Sequence, residues 1–213
     1  MRTSRGGRGV TSQGPCPHRR RRGAALEGAI LTAAFAELSE AGYHGFSVES
    51  VAARARTGKA SIYRRWPSKA ALVMDALLAE LPDPERLGIT SDLGEQVSTA
   101  DALRAAARAM ARVMNSPAGD AIRAVKLEAA ADPELARLVE ERFQRPRTGA
   151  LVALLERGVA RGEVRPEAAT PFVAEVLPAV LTFRIVLQGE RLTGAALTRV
   201  VDEIMIPLVE ARA

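Results

Sequence analysis

One stretch of the chain, residues 46–69, constrains the fold most, because it fits two short helices and a tight turn into about two dozen residues. It reads FSVESVAARARTGKASIYRRWPSK. Ser47 has the side chain of an N-cap for the first short helix. Residues 56–58 then interrupt the apolar spacing, and a second helix from Lys59 resumes it. This pattern predicts a helix-turn-helix over about residues 46–65.

The second short helix of this motif is expected to present a polar face to solvent. Ile62 and Trp66 are spaced four residues apart for its buried side, so the intervening side chains point outward. Hydroxyl and guanidinium groups can reach base edges in the major groove, and lysine can reach phosphate. The outward residues are Lys59, Ala60, Ser61, Tyr63 and Arg64.

The run VAARARTGKASIYRRWPSKAALV, followed by a helical remainder, resembles the TetR (tetracycline-repressor-like) family of transcriptional regulators. The likeness is good over about residues 24–81, and residues 130–210 are similar to one C-terminal subtype of that family. It implies a homodimer that binds operator DNA and releases it when a small molecule enters the C-terminal domain. It also implies roles for single residues. Phosphates would be held by Ser47, Tyr63 and Lys69, while Lys59, Ala60, Ser61 and Arg64 would face bases.

Three positions of the motif depart from the family pattern. Arg56 stands where a glycine is usual in the turn, so a non-glycine residue is expected in the left-handed conformation at a cost of about 1 kcal/mol. Gly58 replaces the usual serine cap and is only slightly weaker in that role. Ala60 replaces a frequent glycine.

The positive charge of the chain is concentrated at its N-terminus. The net charge is +5, and residues 1–23 contain seven arginines and no acidic residue. This Gly- and Arg-rich segment is predicted to be a disordered tail. One interpretation is a solubilising tail. The other assigns Arg19, Arg20, Arg21 and Arg22 to the DNA backbone or the adjacent minor groove. A transit peptide is a third, although Gly and Pro oppose the amphipathic helix it needs.

The composition favours an all-α protein. Ala, Leu, Arg and Glu dominate, and no alternating Val/Ile/Thr run with hairpin turns occurs. We predict an N-terminal three-helix DNA-binding domain over residues 24–82 and a C-terminal helical bundle for ligand binding and dimerisation over residues 95–213. Gly, Pro, Asp and Ser between them indicate a boundary loop. No apolar run is long enough to cross a bilayer, so no membrane partner is expected. The one cysteine lies in the tail and cannot form an internal disulfide, which fits a cytoplasmic protein.

The C-terminal third is expected to form the dimer. The helix that starts at Thr170 is apolar on nearly all sides, which requires burial on more than one face. Together with a last helix over residues 195–211 it would form a four-helix contact with a second copy. The predicted contact residues are Val173, Val176, Leu177, Val180, Leu197, Val201, Ile204, Met205 and Leu208.

The effector is expected to be a small hydrophobic molecule, because the bundle is aliphatic and holds few aromatic residues. The candidate contacts are Phe143, Phe172, Phe183 and Arg184. Pro146 should kink the helix that contains it, which either opens a cavity or only bends the packing.

No enzyme motif, cofactor fingerprint or metal-ligand spacing occurs in the sequence. The leading hypothesis is a non-enzymatic, sequence-specific repressor that binds a palindromic operator in double-stranded DNA. The alternative is a dimeric helical interaction module that touches nucleic acid only through its basic tail. Deletion of residues 1–22 would abolish binding in the second case and only weaken it in the first.

Overall fold

The structure is a computed structural model that describes residues 17–82 and 97–211. Regular secondary structure in these two ranges is helical, apart from one isolated antiparallel bridge between Val164 and Glu210. The predicted all-α class is therefore confirmed. None of the described helices is long and apolar enough to cross a membrane.

The N-terminal part contains the four helices α1 (Pro17–Gly45), α2 (Val48–Arg54), α3 (Lys59–Tyr63) and α4 (Lys69–Ala79). Their starts follow from local capping chemistry. The Ser47 hydroxyl accepts a hydrogen bond from the Ser50 amide at 3.3 Å and caps α2. The Ser68 hydroxyl accepts from the Ala71 amide at 3.1 Å and caps α4. The predicted cap Ser47 is confirmed.

The first helix begins earlier than the sequence pattern indicated. It starts at Pro17, so the expectation that residues 17–23 are disordered is wrong. Proline is tolerated in the first turn of a helix, and arginine is a good helix former. Residues 1–16 lie outside the described part, and their disorder stays a prediction. Near the other end Gly42 adopts φ 67° and ψ 179°, a break that a glycine allows.

The C-terminal part continues with eight helices and three π-helical turns. The helices are α5 (Thr99–Met114), α6 (Pro117–Ala129), α7 (Pro133–Val139), α8 (Arg145–Ala160), α9 (Pro171–Ala174), α10 (Val176–Thr182), α11 (Gly194–Val200) and α12 (Ile206–Val209). The π-helical turns are Glu140–Gln144, Phe183–Leu187 and Val201–Met205. Helix α5 starts after its cap Ser98, whose hydroxyl accepts a hydrogen bond from the Asp101 amide. The expected boundary loop lies largely outside the described residues.

The predicted kink at Pro146 takes the form of a widened turn. The π-helical turn Glu140–Gln144 joins α7 to α8, and Pro146 is the second residue of α8. Pro207 follows the turn Val201–Met205 in the same way. A proline lacks the amide hydrogen for the usual helical bond and crowds the preceding turn, and a wider turn relieves both effects.

Two hydrophobic clusters form the core. The first cluster, which we call the DNA-side core, joins α1–α4 to residues of α6 and α7, including Ile122, Val125 and Leu135. The second cluster, the bundle core, joins α5 to the helices from α8 onward. The helix-turn-helix is therefore not packed on a small core of its own, because α6 and α7 share its interior.

Candidate nucleic-acid interface and adjoining cavity

Helix α3 is anchored on one side and open on the other. Ile62 and Trp66 are buried, with 1% and 4% of their surfaces exposed. In the preceding turn Arg56 has φ 49°, so the expected left-handed non-glycine residue is confirmed. Gly58 caps α3 in an extended conformation without a side-chain bond, as predicted. This geometry holds α3 by its apolar edge and leaves the opposite edge facing solvent.

The residues predicted to read bases lie together on that open edge. Lys59, Ala60 and Arg64 are exposed, and the neighbouring Tyr63, a predicted phosphate contact, is 50% exposed. Ser61 is half-buried, and its hydroxyl accepts a hydrogen bond from Arg65 Nη1 at 3.0 Å. Its side chain is therefore partly engaged within α3.

Two of the predicted phosphate contacts, Ser47 and Lys69, already form interactions within the protein. The Ser47 hydroxyl also donates to Glu49 Oε2 at 3.2 Å. Lys69 Nζ lies 4.4 Å from the centre of the Tyr43 ring and donates to the His44 carbonyl at 3.5 Å. Burial lowers the pKa of Lys69.

Several cations around α3 give this surface a positive charge. Lys59 forms an ion pair with Glu49, and the Lys59 hydrogen bond is the main reason that the pKa of Glu49 is lowered. Arg54 bonds to Glu40. Arg56 and Arg64 are exposed, and neither forms an ion pair with a carboxylate in the part of the chain that the structure describes. A surface with uncompensated cations suits a polyanion.

The tail arginines cannot be assigned to this surface. Arg19–Arg22 lie in the first turns of α1, and the structure describes their backbone alone. Their contact with DNA stays a prediction.

A cavity of about 470 Å³ lies where the two cores meet. Its walls come from the end of α4, from α5 and α6, from the turn between α7 and α8, from α8 itself, and from α10 with the preceding Glu175. Most wall residues are apolar: Leu81, Pro82, Met110, Val113, Met114, Ile122, Phe143, Leu151, Pro178, Ala179 and Leu181. The polar wall residues are Lys126, Glu140, Gln144, Arg147, Thr148, Glu175 and Thr182. Such a volume and lining are typical of small-molecule sites.

Of the four predicted effector contacts, Phe143 alone lines this cavity. Phe172 is 82% exposed and Phe183 is 51% exposed, so neither points into it. Arg184 Nη1 donates to Glu190 Oε2 at 2.9 Å, away from the cavity. These three predicted contacts lie outside this cavity, because aromatic character alone does not distinguish a wall residue from an exposed one. The sequence pattern also missed Lys126 and Arg147, whose signal is a basic residue on an otherwise apolar helix face.

The predicted dimer residues divide into buried and accessible ones. Leu177, Leu197, Val201 and Met205 are at most 5% exposed inside the protomer's own bundle core, so they cannot contact a second copy. These four are corrections, because their apolar faces are already covered within the chain. Val173, Val176, Val180 and Leu208 are half-buried, and Ile204 is 38% exposed. The exposed apolar side chains of this region are Phe172, Phe183, Leu187 and Ile204.

The start of helix α7 is bonded to α1 and to the cap of α4 by side chains far apart in sequence. The Tyr43 hydroxyl donates to Asp132 Oδ2 at 2.9 Å, and the Ser68 hydroxyl donates to Glu134 Oε1 at 2.7 Å. The Leu135 amide and then the Tyr43 hydroxyl lower the pKa of Asp132. These bonds fix the start of α7 against α1 and α4.

A second link starts at the cavity wall. Arg142, next to Phe143, forms an ion pair with Asp75 of α4. Asp75 Oδ2 also accepts a hydrogen bond from Trp66 Nε1 at 2.7 Å. Trp66 follows α3 directly. One carboxylate therefore connects the cavity turn to the base of the exposed helix.

Two family models match the chain. Residues 30–76 match the N-terminal model described as bacterial regulatory proteins of the tetR family. Residues 94–204 match the tetracyclin repressor-like C-terminal domain.

Several known proteins are similar to this chain over most of their length. The DNA-binding transcriptional repressor TetR of Mycobacteroides abscessus is 33% identical over 193 residues, which covers 88% of this chain and 96% of that protein. An HTH-type transcriptional regulator of Mycobacterium bovis is 30% identical over 178 residues, covering 84% of this chain and 85% of that protein. The crystal structure of a TetR-family regulator from Mesorhizobium loti has a TM-score of 0.70 at 20% identity, covering 89% of this chain and 99% of that one.

Proposed function

Because the chain belongs to the TetR family of helix-turn-helix transcriptional regulators, we propose that it is a homodimeric repressor of a palindromic operator that a small, largely apolar molecule releases. The family consists of DNA-binding regulators of transcription rather than enzymes. The observation that carries the proposal is the exposed cationic edge of α3, anchored from behind by Ile62 and Trp66.

The open edge of α3 would enter the major groove. Lys59, Ala60, Ser61 and Arg64 would face bases, and an arginine can contact both acceptors of guanine. Ser47, Tyr63 and Lys69 would lie along the phosphates of the two flanking strands. On binding, Lys59 would exchange its ion pair with Glu49 for one with DNA, at little cost because the pair is exposed.

Repression is supported by the printed name of one relative, the transcriptional repressor TetR of Mycobacteroides abscessus. Dimerisation is supported by the exposed apolar side chains of α9 and of the two π-helical turns Phe183–Leu187 and Val201–Met205. An exposed apolar patch of this kind is typical of a protein contact. The contact would include Phe172, Phe183, Leu187 and Ile204, together with the half-buried Val173, Val176, Val180 and Leu208.

Release by a ligand is supported by the position of the cavity. Its walls include Leu81 and Pro82 at the end of α4 and Phe143 in the turn before α8. The neighbouring Arg142–Asp75–Trp66 link leads from that turn to the base of α3. A ligand that prefers one arrangement of this turn would shift the two recognition helices of the dimer away from the spacing that DNA requires.

The DNA-binding proposal can be tested with a site selected from random DNA. Replacing both Lys59 and Arg64 by Ala is expected to weaken binding at least tenfold, since each base contact contributes about 1–3 kcal/mol. Arg199→Ala is the matched control, because it removes an exposed cation from the bundle side of the molecule. Equal binding by the double variant and the wild type would rule out the assigned recognition face.

The release proposal can be tested by screening small molecules for displacement of the labelled operator. Compounds that act through the cavity should lose potency with Phe143→Ala, which removes part of the wall. Leu127→Ala, an exposed apolar position on α6, is the control and should leave potency unchanged. Displacement that is equally strong with Phe143→Ala would place the effector elsewhere.

A further inference from the structure

The cavity contains two cations grouped around one aromatic ring. Lys126 Nζ lies 5.5 Å from the centre of the Phe143 ring, and the Arg147 guanidinium carbon lies 4.1 Å from the same centre. Arg147 Nη1 also donates to the Phe143 carbonyl at 3.1 Å. Lys126 comes from α6 and Arg147 from α8, so the ring brings together two charges from different helices.

The charge of Lys126 is not balanced inside this cavity. No carboxylate of the described residues forms an ion pair with it. Burial lowers the pKa of Lys126, and the neighbouring Arg147 lowers it further. Two like charges in a partly desolvated site repel each other, which costs free energy. A bound anion would offset this repulsion by pairing with both cations.

The two acidic side chains of the cavity wall do not supply this anion. Glu140 accepts a hydrogen bond from Gln144 Nε2 at 3.0 Å, and Arg145 Nε lies 3.6 Å from its other carboxylate oxygen. Glu175 is exposed at the junction of α9 and α10. Neither contributes to the pKa shift of Lys126.

The rest of the cavity is suited to hydrocarbon. The apolar side chains of Met110, Val113, Met114, Ile122, Leu151 and Leu181 form much of the wall. From this division we propose that the ligand is an amphipathic carboxylate, with its acidic group at Lys126 and Arg147 and its apolar body against the aliphatic walls. This inference rests on the proposed function only for its biological role, because the site itself is defined by the cavity.

The test measures binding to the full chain without DNA. Decanoate, decan-1-ol and decyltrimethylammonium have the same apolar chain with a negative, neutral or positive head, and calorimetry gives their affinities. Decanoate is expected to bind at least tenfold more tightly than the other two, because its head alone can pair with both cations. Lys126→Met should remove most of this preference without weakening decan-1-ol, and Lys126→Arg should keep it. The unfolding midpoint of each variant shows whether it is folded.

Three results would overturn the proposal: equal or tighter binding of decan-1-ol or decyltrimethylammonium, an unchanged preference in Lys126→Met, or no binding of carboxylates of eight, ten or twelve carbons. Because none of these measurements involves DNA, a failure here leaves the operator experiments unaffected. Conversely, a loss of operator recognition would not change the preference for the carboxylate.

Discussion

Each of the two cores of the molecule is stabilised internally by a different kind of contact. Directional side-chain bonds cross between the helices of the DNA-side core, as from Tyr43 to Asp132 and from Ser68 to Glu134. The bundle core is closed by small and aliphatic side chains, and its polar links, such as Arg104 to Asp202, lie at the rim. Directional bonds define a single relative position of the helices, whereas apolar packing tolerates small shifts more easily.

The exposed surfaces differ in the same way. The DNA-side core carries α3 with its cations and hydroxyls outward, while Phe172, Phe183 and Leu187 are exposed on the bundle side. The comparison indicates a division of tasks. The first region must hold a polar helix in register with DNA, and the second must offer an apolar surface. The cavity lies between them, where a bound ligand would contact both.

The largest expected effect is the loss of a large side chain from either core. Leu72 of α4 and Leu155 of α8 are each 0% exposed. Leu72→Ala and Leu155→Ala should both lower the free energy of unfolding by about 2–5 kcal/mol, measured by urea denaturation. The folded fraction of Leu72→Ala should also bind DNA more weakly, because α4 supports α3.

Leu155→Ala serves as the comparison for that second effect. Its folded fraction should keep most of its affinity for the selected site, since Leu155 lies in the bundle core. An equal loss of affinity in the two variants would show that the cores do not divide the tasks.

A smaller effect is expected at the joint between the cores. A Cβ atom on Gly119 of α6 would lie 2.3 Å from the Met114 carbonyl oxygen, so the backbone must shift to accept it. Gly119→Ala should lower the free energy of unfolding by about 1–3 kcal/mol. Gly149→Ala, in an open part of α8, is the control and should raise it by about 0.5–1 kcal/mol. Equal effects would mean that the α5–α6 junction is loosely packed.

Local chemistry explains what could be predicted from the sequence. The cap Ser47, the turn at Arg56 and the anchor Trp66 all depend on neighbours within a few residues, and each is observed. The family motif covers the same region. The polar edge of α3 follows from these local features, so the candidate DNA-binding residues could be named from the sequence.

Long-range packing explains what could not be predicted. A helical apolar pattern shows that a face is covered but not by which neighbour, so Leu177 and Val201 were assigned to a second copy although their own protomer buries them. Cavity walls come from helices far apart in sequence, so a basic residue on an otherwise apolar helix face, such as Lys126 or Arg147, could not be placed beside a cavity from its local pattern alone. The basic composition near residue 20 indicated disorder, although arginine also forms helices well.

The stability of the folded protein should depend on pH because of a carboxylate at the rim of the bundle core. Glu163 Oε2 accepts from the Thr99 amide at 2.6 Å and Oε1 from Arg161 Nε at 2.9 Å. The bond from Arg161 is the main factor that lowers the pKa of Glu163 to about 2 from 4.5. A lowered pKa contributes stability above about pH 4.5, which is lost as the pH falls toward 2.

Glu163→Gln should therefore be less stable than the wild type at neutral pH, by on the order of 1 kcal/mol because the side chain is partly solvated. The difference should shrink between pH 4.5 and 2, measured by thermal unfolding across that range. Glu167→Gln, on the exposed turn nearby, is the control. A constant difference at all pH values would show that the charge of Glu163 does not stabilise the rim.

The smallest expected effect lies in the turn before α3. Arg56 holds φ 49°, a conformation that costs a non-glycine residue about 1 kcal/mol, while glycine loses about 0.5–1 kcal/mol of conformational entropy there. Arg56→Gly should therefore change the free energy of unfolding by less than about 0.5 kcal/mol. The effect on DNA binding should be larger, because an exposed cation beside α3 is removed. The slope of log affinity against log salt concentration should decrease in magnitude by about one. Arg56→Lys keeps the charge and should keep the slope. An unchanged slope in Arg56→Gly would mean that the arginine at this strained position does not contact DNA.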